Sequence, residues 1–241
     1  MTRACSLLAL FLAACSNEAP SREHGSIGLF TSLPILWSET PDLNDLLHDD
    51  APPPHWALGA LQRHGTVRAL DALSGAGDTL PLPQDAILVM AQPRPLAPDE
   101  NVALDNWVRG GGKVLLFADP MLTAHSIYAL GDKRRPQDVV LLSPILRRWG
   151  LELRFDDEQA GGQRVVRLAG KEMPVNLPGT LALIRESRGC KLLADALAAQ
   201  CRIGSGEVIV VADAALLEDG NAQDFKARAD VIEALIEQFG R

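Results

Sequence analysis

Four short segments of the chain are apolar almost without interruption: Ile27–Thr31, Ala86–Ala91, Val114–Ala118 and Val208–Ala212. A strand with one wet face alternates apolar and polar residues, so unbroken runs of this length mark strands buried on both faces. Only a parallel sheet covered by helices supplies that environment on this scale. The sequence therefore predicts an α/β fold, with a mostly parallel sheet and helices on both of its faces.

The segment from Ala86 to Asp119 shows how such a sheet is wound. The strand Ala86–Ala91 leads through a proline-rich loop to a helix, and the helix leads to the strand Val114–Ala118. Pro98 opens the helix with a suitable fixed φ, and Asp99 and Glu100 place negative charge on its first turn. Ala103, Leu104, Trp107 and Val108 recur at helical spacing, which assigns Trp107 to the core. Gly110-Gly111-Gly112 ends the helix by permitting left-handed φ, completing a βαβ crossover. The last segment repeats the pattern, with a Gly204-Ser205-Gly206 turn, the strand Val208–Ala212, and an amphipathic helix from about Asp224 to Phe239. Between these units, Pro144–Trp149 reads as a helix. Leu151–Phe155, Arg164–Leu168 and Thr180–Ile184 read as strands, predicting antiparallel additions in the second half, and Asp156–Gly162 is a turn-rich insertion.

Ahead of this domain, Met1–Arg3 and the apolar run Ala4–Leu12 lead to Leu12-Ala13-Ala14-Cys15. The run is far short of the roughly 20 residues that span a bilayer. It resembles the lipobox of bacterial lipoproteins, in which the cysteine is acylated and becomes the first mature residue; an ordinary secretory signal with a chance cysteine is the alternative. Residues 1–14 then form a signal peptide, 15–25 the lipidated cysteine and a polar tether, and 26–241 a single α/β domain. By the same resemblance, Ser16 after the cysteine implies a protein facing the periplasm on the outer membrane, where the cell has one.

Acidic residues outnumber basic ones 31 to 23, for a net charge of -8, which disfavours nucleic acid as a partner. The one basic cluster, Lys133-Arg134-Arg135, is flanked by Gly131-Asp132 and Pro136 and reads as a solvated loop. With Cys5 in the signal and Cys15 lipidated, Cys190 and Cys201 remain, either as a disulfide or as two buried thiols. A wholly helical step of eleven residues would hold their Cα atoms ~16 Å apart, against the ~7 Å a bridge tolerates. A bridge therefore requires a turn or adjacent strands.

Ligands of open parallel sheets bind beyond the carboxyl ends of the strands. Asp119 and Asp213 each follow a buried run in the order strand, Ala-Asp, small apolar pair, and so emerge at one sheet edge. They form either a carboxylate or cation site or the caps of the turns that follow. Thr31, Ser32, Trp37 and Glu39 follow the first strand and are candidates to line a ligand pocket there, or Trp37 is tucked into the core. A long acidic loop with Asp42, Asp45, His48, Asp49 and Asp50 comes next. No Gly-x-Ser-x-Gly elbow, dinucleotide fingerprint, phosphate-binding loop or His-Glu-x-x-His occurs, and the five histidines lack metal-ligand spacing and read as surface residues. No cofactor and no metal is expected.

Asp105–Pro120, preceded by the strand Ala86–Ala91, resembles the central motif of the extracytoplasmic auxiliary components of gliding-motility-type ABC transport systems and related bacterial proteins. Ile203–Asp213 is similar to their later glycine-turn, strand and aspartate segment. The resemblance implies a flavodoxin-like sheet akin to the class I glutamine amidotransferases without their catalytic cysteine, since neither Cys190 nor Cys201 sits in a glycine-flanked elbow. It further implies a partnership with an ABC permease and ATPase. The expectation is a non-catalytic, membrane-anchored binding or auxiliary subunit, and the alternative is an envelope hydrolase acting on a glycan or peptide through Asp119, Asp213 or Glu39.

Overall fold

The computed structural model describes residues 25–37, 39, 54–75, 77, 79–184 and 189–240. The expected signal peptide, Cys15, the expected tether as far as His24, and Asp42, Asp45, His48, Asp49 and Asp50 lie outside the described residues. Each of the four apolar runs is a strand: β1 (Gly25–Thr31), β3 (Ile87–Ala91), β4 (Lys113–Phe117) and β11 (Gly206–Val211). Together with β2 (Gly65–Ala69), β9 (Cys190–Leu193) and β10 (Ala198–Ile203) they form one sheet in the order β2-β1-β3-β4-β11-β10-β9. The first five strands are parallel and the last two antiparallel. With β11 in the fifth place, this is the flavodoxin-like order.

Register decides what each side chain packs against. Leu29, Val89, Leu115 and Ile209 are aligned across β1, β3, β4 and β11. They face α1 (Trp56–Gln62), α4 (Phe225–Ile236) and the hairpin of β6 (Arg164–Leu168) and β7 (Lys171–Val175). Leu88, Leu116 and Val210 point the other way, onto α2 (Pro98–Arg109), α3 (Ser143–Arg148) and the ladder of β5 (Leu151–Arg154) with β8 (Thr180–Leu183). Both faces are thus covered, as unbroken apolar runs require. Among the described residues no helix is long and apolar enough to cross a membrane.

Trp107 is buried against the sheet, as its spacing predicted. Of the three glycines after α2, only Gly111 is left-handed, with φ of 120°. Gly112 serves a different need, because a Cβ there would lie 2.3 Å from the Trp107 ring. One sequence expectation is corrected at His55. Its ring is buried and caps α1, Nδ1 accepting from the Ala57 N–H at 3.2 Å. Burial lowers its pKa despite nearby Asp219, and the neutral ring is the form whose Nδ1 can accept.

The turn demanded by a Cys190–Cys201 bridge is present. Cys190 and Cys201 face each other across β9 and β10 with Cα atoms 4.0 Å apart, and the sulfurs are bonded. The bridge pins the last strand of the sheet to its neighbour. Thiol titration of the unfolded, unreduced chain is expected to detect neither cysteine, and reduction should lower stability by roughly 2 to 3 kcal/mol in the chain-entropy model. Two titratable thiols would contradict the pairing.

Candidate functional site

Because β1, β3, β4 and β11 are neighbours in register, the residues just beyond them are brought into a row at the carboxyl edge of the sheet. These are Ser32, Gln92, Asp119 and Asp213. The two aspartates do lie at one edge, as the repeated Ala-Asp order predicted. Both, however, are 0% exposed, and all four carboxylate oxygens accept backbone N–H groups. Asp119 takes Met121 at 2.8 Å and Ala214 at 3.0 Å, while Asp213 takes Ala215 at 2.7 Å and Asn176 at 3.0 Å. The expectation that they bind ligand is therefore corrected: they cap the turns after their own strands, and Asp119 also ties β4 to the β11 turn.

Holding two carboxyls in this place perturbs both. Burial pushes Asp119 up to about 6 against the pull of its two N–H donors. Burial, followed by the charge of Asp119, pushes Asp213 up to about 8. In an active site such values would suit proton transfer, but here no substrate atom can reach either group.

Gln92 is the residue that sequence reading passed over. It directly follows β3, is fully buried, and is held left-handed at φ of 44°. Its Oε1 accepts the Asp119 N–H at 2.9 Å. Its Nε2 donates to the carbonyls of Asp119 at 3.0 Å and Gln137 at 2.8 Å. The Ser32 hydroxyl donates to the Gln92 carbonyl and accepts the Gln137 N–H at 3.0 Å. One amide side chain thus joins the ends of β3 and β4 to the segment passing above them. The available signal was positional, a polar residue immediately after a buried run and before Pro93, which disfavours αR for its predecessor.

That overlying segment is Lys133–Gln137, and beneath it lies a crevice of about 420 Å³. The crevice opens where strand order reverses, with β2 on one side of β1 and β3 on the other, which is where sheets of this type bind ligands. Thr31, Ser32 and Trp37 line it, as expected from sequence. Trp37 is 42% exposed, so its indole is not tucked into the core. The hydroxyls of Thr31 and Ser32 are engaged, Thr31 donating to the Ala91 carbonyl at 2.9 Å. They shape the floor and leave recognition to other groups. Glu39 does not join them; its oxygens accept from the Ser126 hydroxyl and the Ile127 N–H, both at 2.8 Å, and so fasten a different loop.

The cluster Lys133-Arg134-Arg135, expected as a solvated loop, forms part of the crevice wall, opposite Arg94. Arg94 lies over the Phe30 ring at 4.9 Å and binds Glu100. Burial of Glu100 is overcome by Arg94 and by the N–H groups of Ala97 and Leu73, which hold its carboxyl down to about 2. Arg134 and Arg135 pair with Asp132 and Asp138 at 2.8 and 2.7 Å. Lys133 has no carboxylate partner among the described residues. An exposed indole beside an uncommitted ammonium suits an anionic or aromatic group. Among the described residues, no three His, Cys, Asp or Glu side chains are grouped to hold a metal.

No family model and no curated protein sequence matches the chain. Solved structures do. An exo-beta-1,4-mannosidase from Opitutaceae bacterium strain TAV5 matches over 91% of this chain with a TM-score of 0.54 and 16% identity. The chain spans 37% of that mannosidase. The mmIFT52 N-terminal domain matches over 90% of this chain and 99% of its own length, with a TM-score of 0.50 and 11% identity. At such identities the likeness concerns the backbone alone. What it fixes is the fold: the chain is an α/β protein with a flavodoxin-like, mostly parallel sheet.

Proposed function

We propose that this chain is a lipid-anchored protein of the bacterial cell envelope whose α/β domain is a non-catalytic binding module, an auxiliary subunit of an ABC transport system. Support for binding rather than catalysis comes from one contrast at the sheet edge. The carboxylates that would serve hydrolysis are sealed and fully hydrogen-bonded, whereas the crevice at the strand-order reversal is open and offers Trp37 and Lys133. Glu39, the remaining acid of a hydrolase reading, is committed to Ser126 and Ile127. Support for the anchor comes from Leu12-Ala13-Ala14-Cys15, and Ser16 favours the outer membrane facing the periplasm where two membranes exist. Several acyl chains hold a domain where one would not.

Two measurements test this. Cys15→Ser should shift the protein from the membrane to the soluble fraction, and persistence in the membrane would remove the lipid anchor from the proposal. Mild crosslinking of the tagged, lipidated protein in native membranes should recover a permease and an ATPase. Replacing Lys133 and Arg134 by Glu, on the exposed wall of the crevice, should abolish that recovery while leaving the fold intact. Recovery of this protein alone would overturn the transport assignment.

A further inference from the structure

A second cleft, of about 550 Å³, occupies the same edge of the sheet on the side of β10 and β11. Its base is fixed by backbone bonds to the end of β11, Gly179 N–H to the Ala212 carbonyl and Ala212 N–H to the Leu197 carbonyl, both at 2.8 Å. Its polar lining is Asp156, Gln159, Arg164, Arg167, Thr180 and Asp195. Unlike the arginines of the crevice, Arg164 and Arg167 have no acidic partner, and Asp195 and the Thr180 hydroxyl have no hydrogen-bond partner among the described residues. Asp156 caps its own turn through Oδ1, accepting from the Glu158 N–H at 3.0 Å. Both signs of charge therefore face one cleft without neutralising each other.

The walls of the cleft are strained. Leu177, just before Pro178, has φ of 52°, and Ala194, Asp195 and Ala196 have φ of 50°, 52° and 66°. Four left-handed residues that are not glycine are each strained, and such strain concentrates where side chains are held for a ligand. Here it is held by the Leu181 N–H on the Ala196 carbonyl at 2.8 Å and by the Cys190–Cys201 bridge at the far end of the same hairpin. The strained turn carries Asp195 into the cleft lining.

We propose that this cleft binds a free amino acid or short peptide as a zwitterion, its α-carboxylate on Arg164 and Arg167 and its α-ammonium on Asp195 and Asp156. Separate cationic and anionic groups suit a ligand carrying both charges, and guanidinium forks match a carboxylate. Among the described residues no aromatic ring lines the cleft to stack on a sugar. The volume lies within the range of small-molecule sites.

The test is calorimetric titration of the full chain with L-alanyl-L-alanine, beside its N-acetyl and C-amide derivatives, acetate and maltose. The dipeptide should bind, and capping either end should weaken binding by about tenfold or more, the loss of one charge-assisted contact. Arg164→Gln and Asp195→Asn should each weaken it similarly while the unliganded melting temperature stays put. Asp195→Gly, which relieves the left-handed strain, separates a failure to fold from a failure to bind: it should fold at least as stably and still lose binding. No binding of the dipeptide, equal binding of a capped derivative, an equal response to acetate or maltose, or indifference to Arg164→Gln would each overturn the assignment.

Discussion

Stability should fall as pH rises from 5 to 8, and Asp213 alone should account for about 4 kcal/mol of the loss at one proton per molecule. The folded chain holds the Asp213 proton up to about pH 8, whereas the unfolded chain loses it near the ordinary value of 3.8. The folded-state pKa is raised, so this contribution is fully present below 3.8 and is lost as pH climbs toward 8. Asp119, pushed up to about 6, adds to the loss at the acid end of the range. His55 and His64 act in the opposite sense there. Burial lowers both, so the folded chain binds fewer histidine protons than the unfolded one, and stability from them grows until pH passes 6.5. The window from pH 7 to 8 therefore isolates Asp213. Urea unfolding across that window should show a decline in wild type and none in Asp213→Asn, and a flat wild-type profile would contradict the burial argument.

Gln92→Ala should cost about 2 to 4 kcal/mol, the effect of leaving a buried N–H and a half-buried carbonyl without partners. The Asp119 N–H and the Gln137 carbonyl are the groups stranded, while the Asp119 carbonyl keeps the Val140 N–H at 3.1 Å. A purely local residue would lose stability only. Gln92→Ala should also loosen the crevice, since among the described residues Gln137 is held to the sheet by this side chain and by Ser32. Amide exchange at Gln137 should accelerate in Gln92→Ala and not in a core variant of equal cost such as Leu104→Ala. Unchanged exchange would show that the overlying segment holds itself.

The central strands were legible because burial on both faces leaves a run of apolar residues with no other explanation. β2 was not, since only Gly65 of its five residues is buried and the rest carry no apolar pattern. β10 was hidden for another reason. Ala198-Ala199-Gln200 has weak intrinsic strand preference, and it is pairing with β11 that makes it a strand. The aspartates were legible in position and ambiguous in role, because capping and catalysis call for the same residue at the same place. Lys133-Arg134-Arg135 illustrates what composition cannot carry. A basic run between glycine and proline looks solvated, and long-range bonds, among them those from Gln92 and Ser32 to Gln137 across at least 45 residues of chain, bring it over the crevice.

The direction of β1 has a consequence for orientation. Parallel strands give the sheet two chemically distinct rims: β1 enters at one with Gly25 and leaves at the other with Thr31, where both clefts open. The segment that leads from Cys15 thus joins the domain at the Gly25 rim, about 20 Å along the strand from the rim that carries the recognition groups. A transport partner recruited through the Lys133 wall would then meet the domain at the Thr31 rim, opposite the end at which the chain enters the sheet.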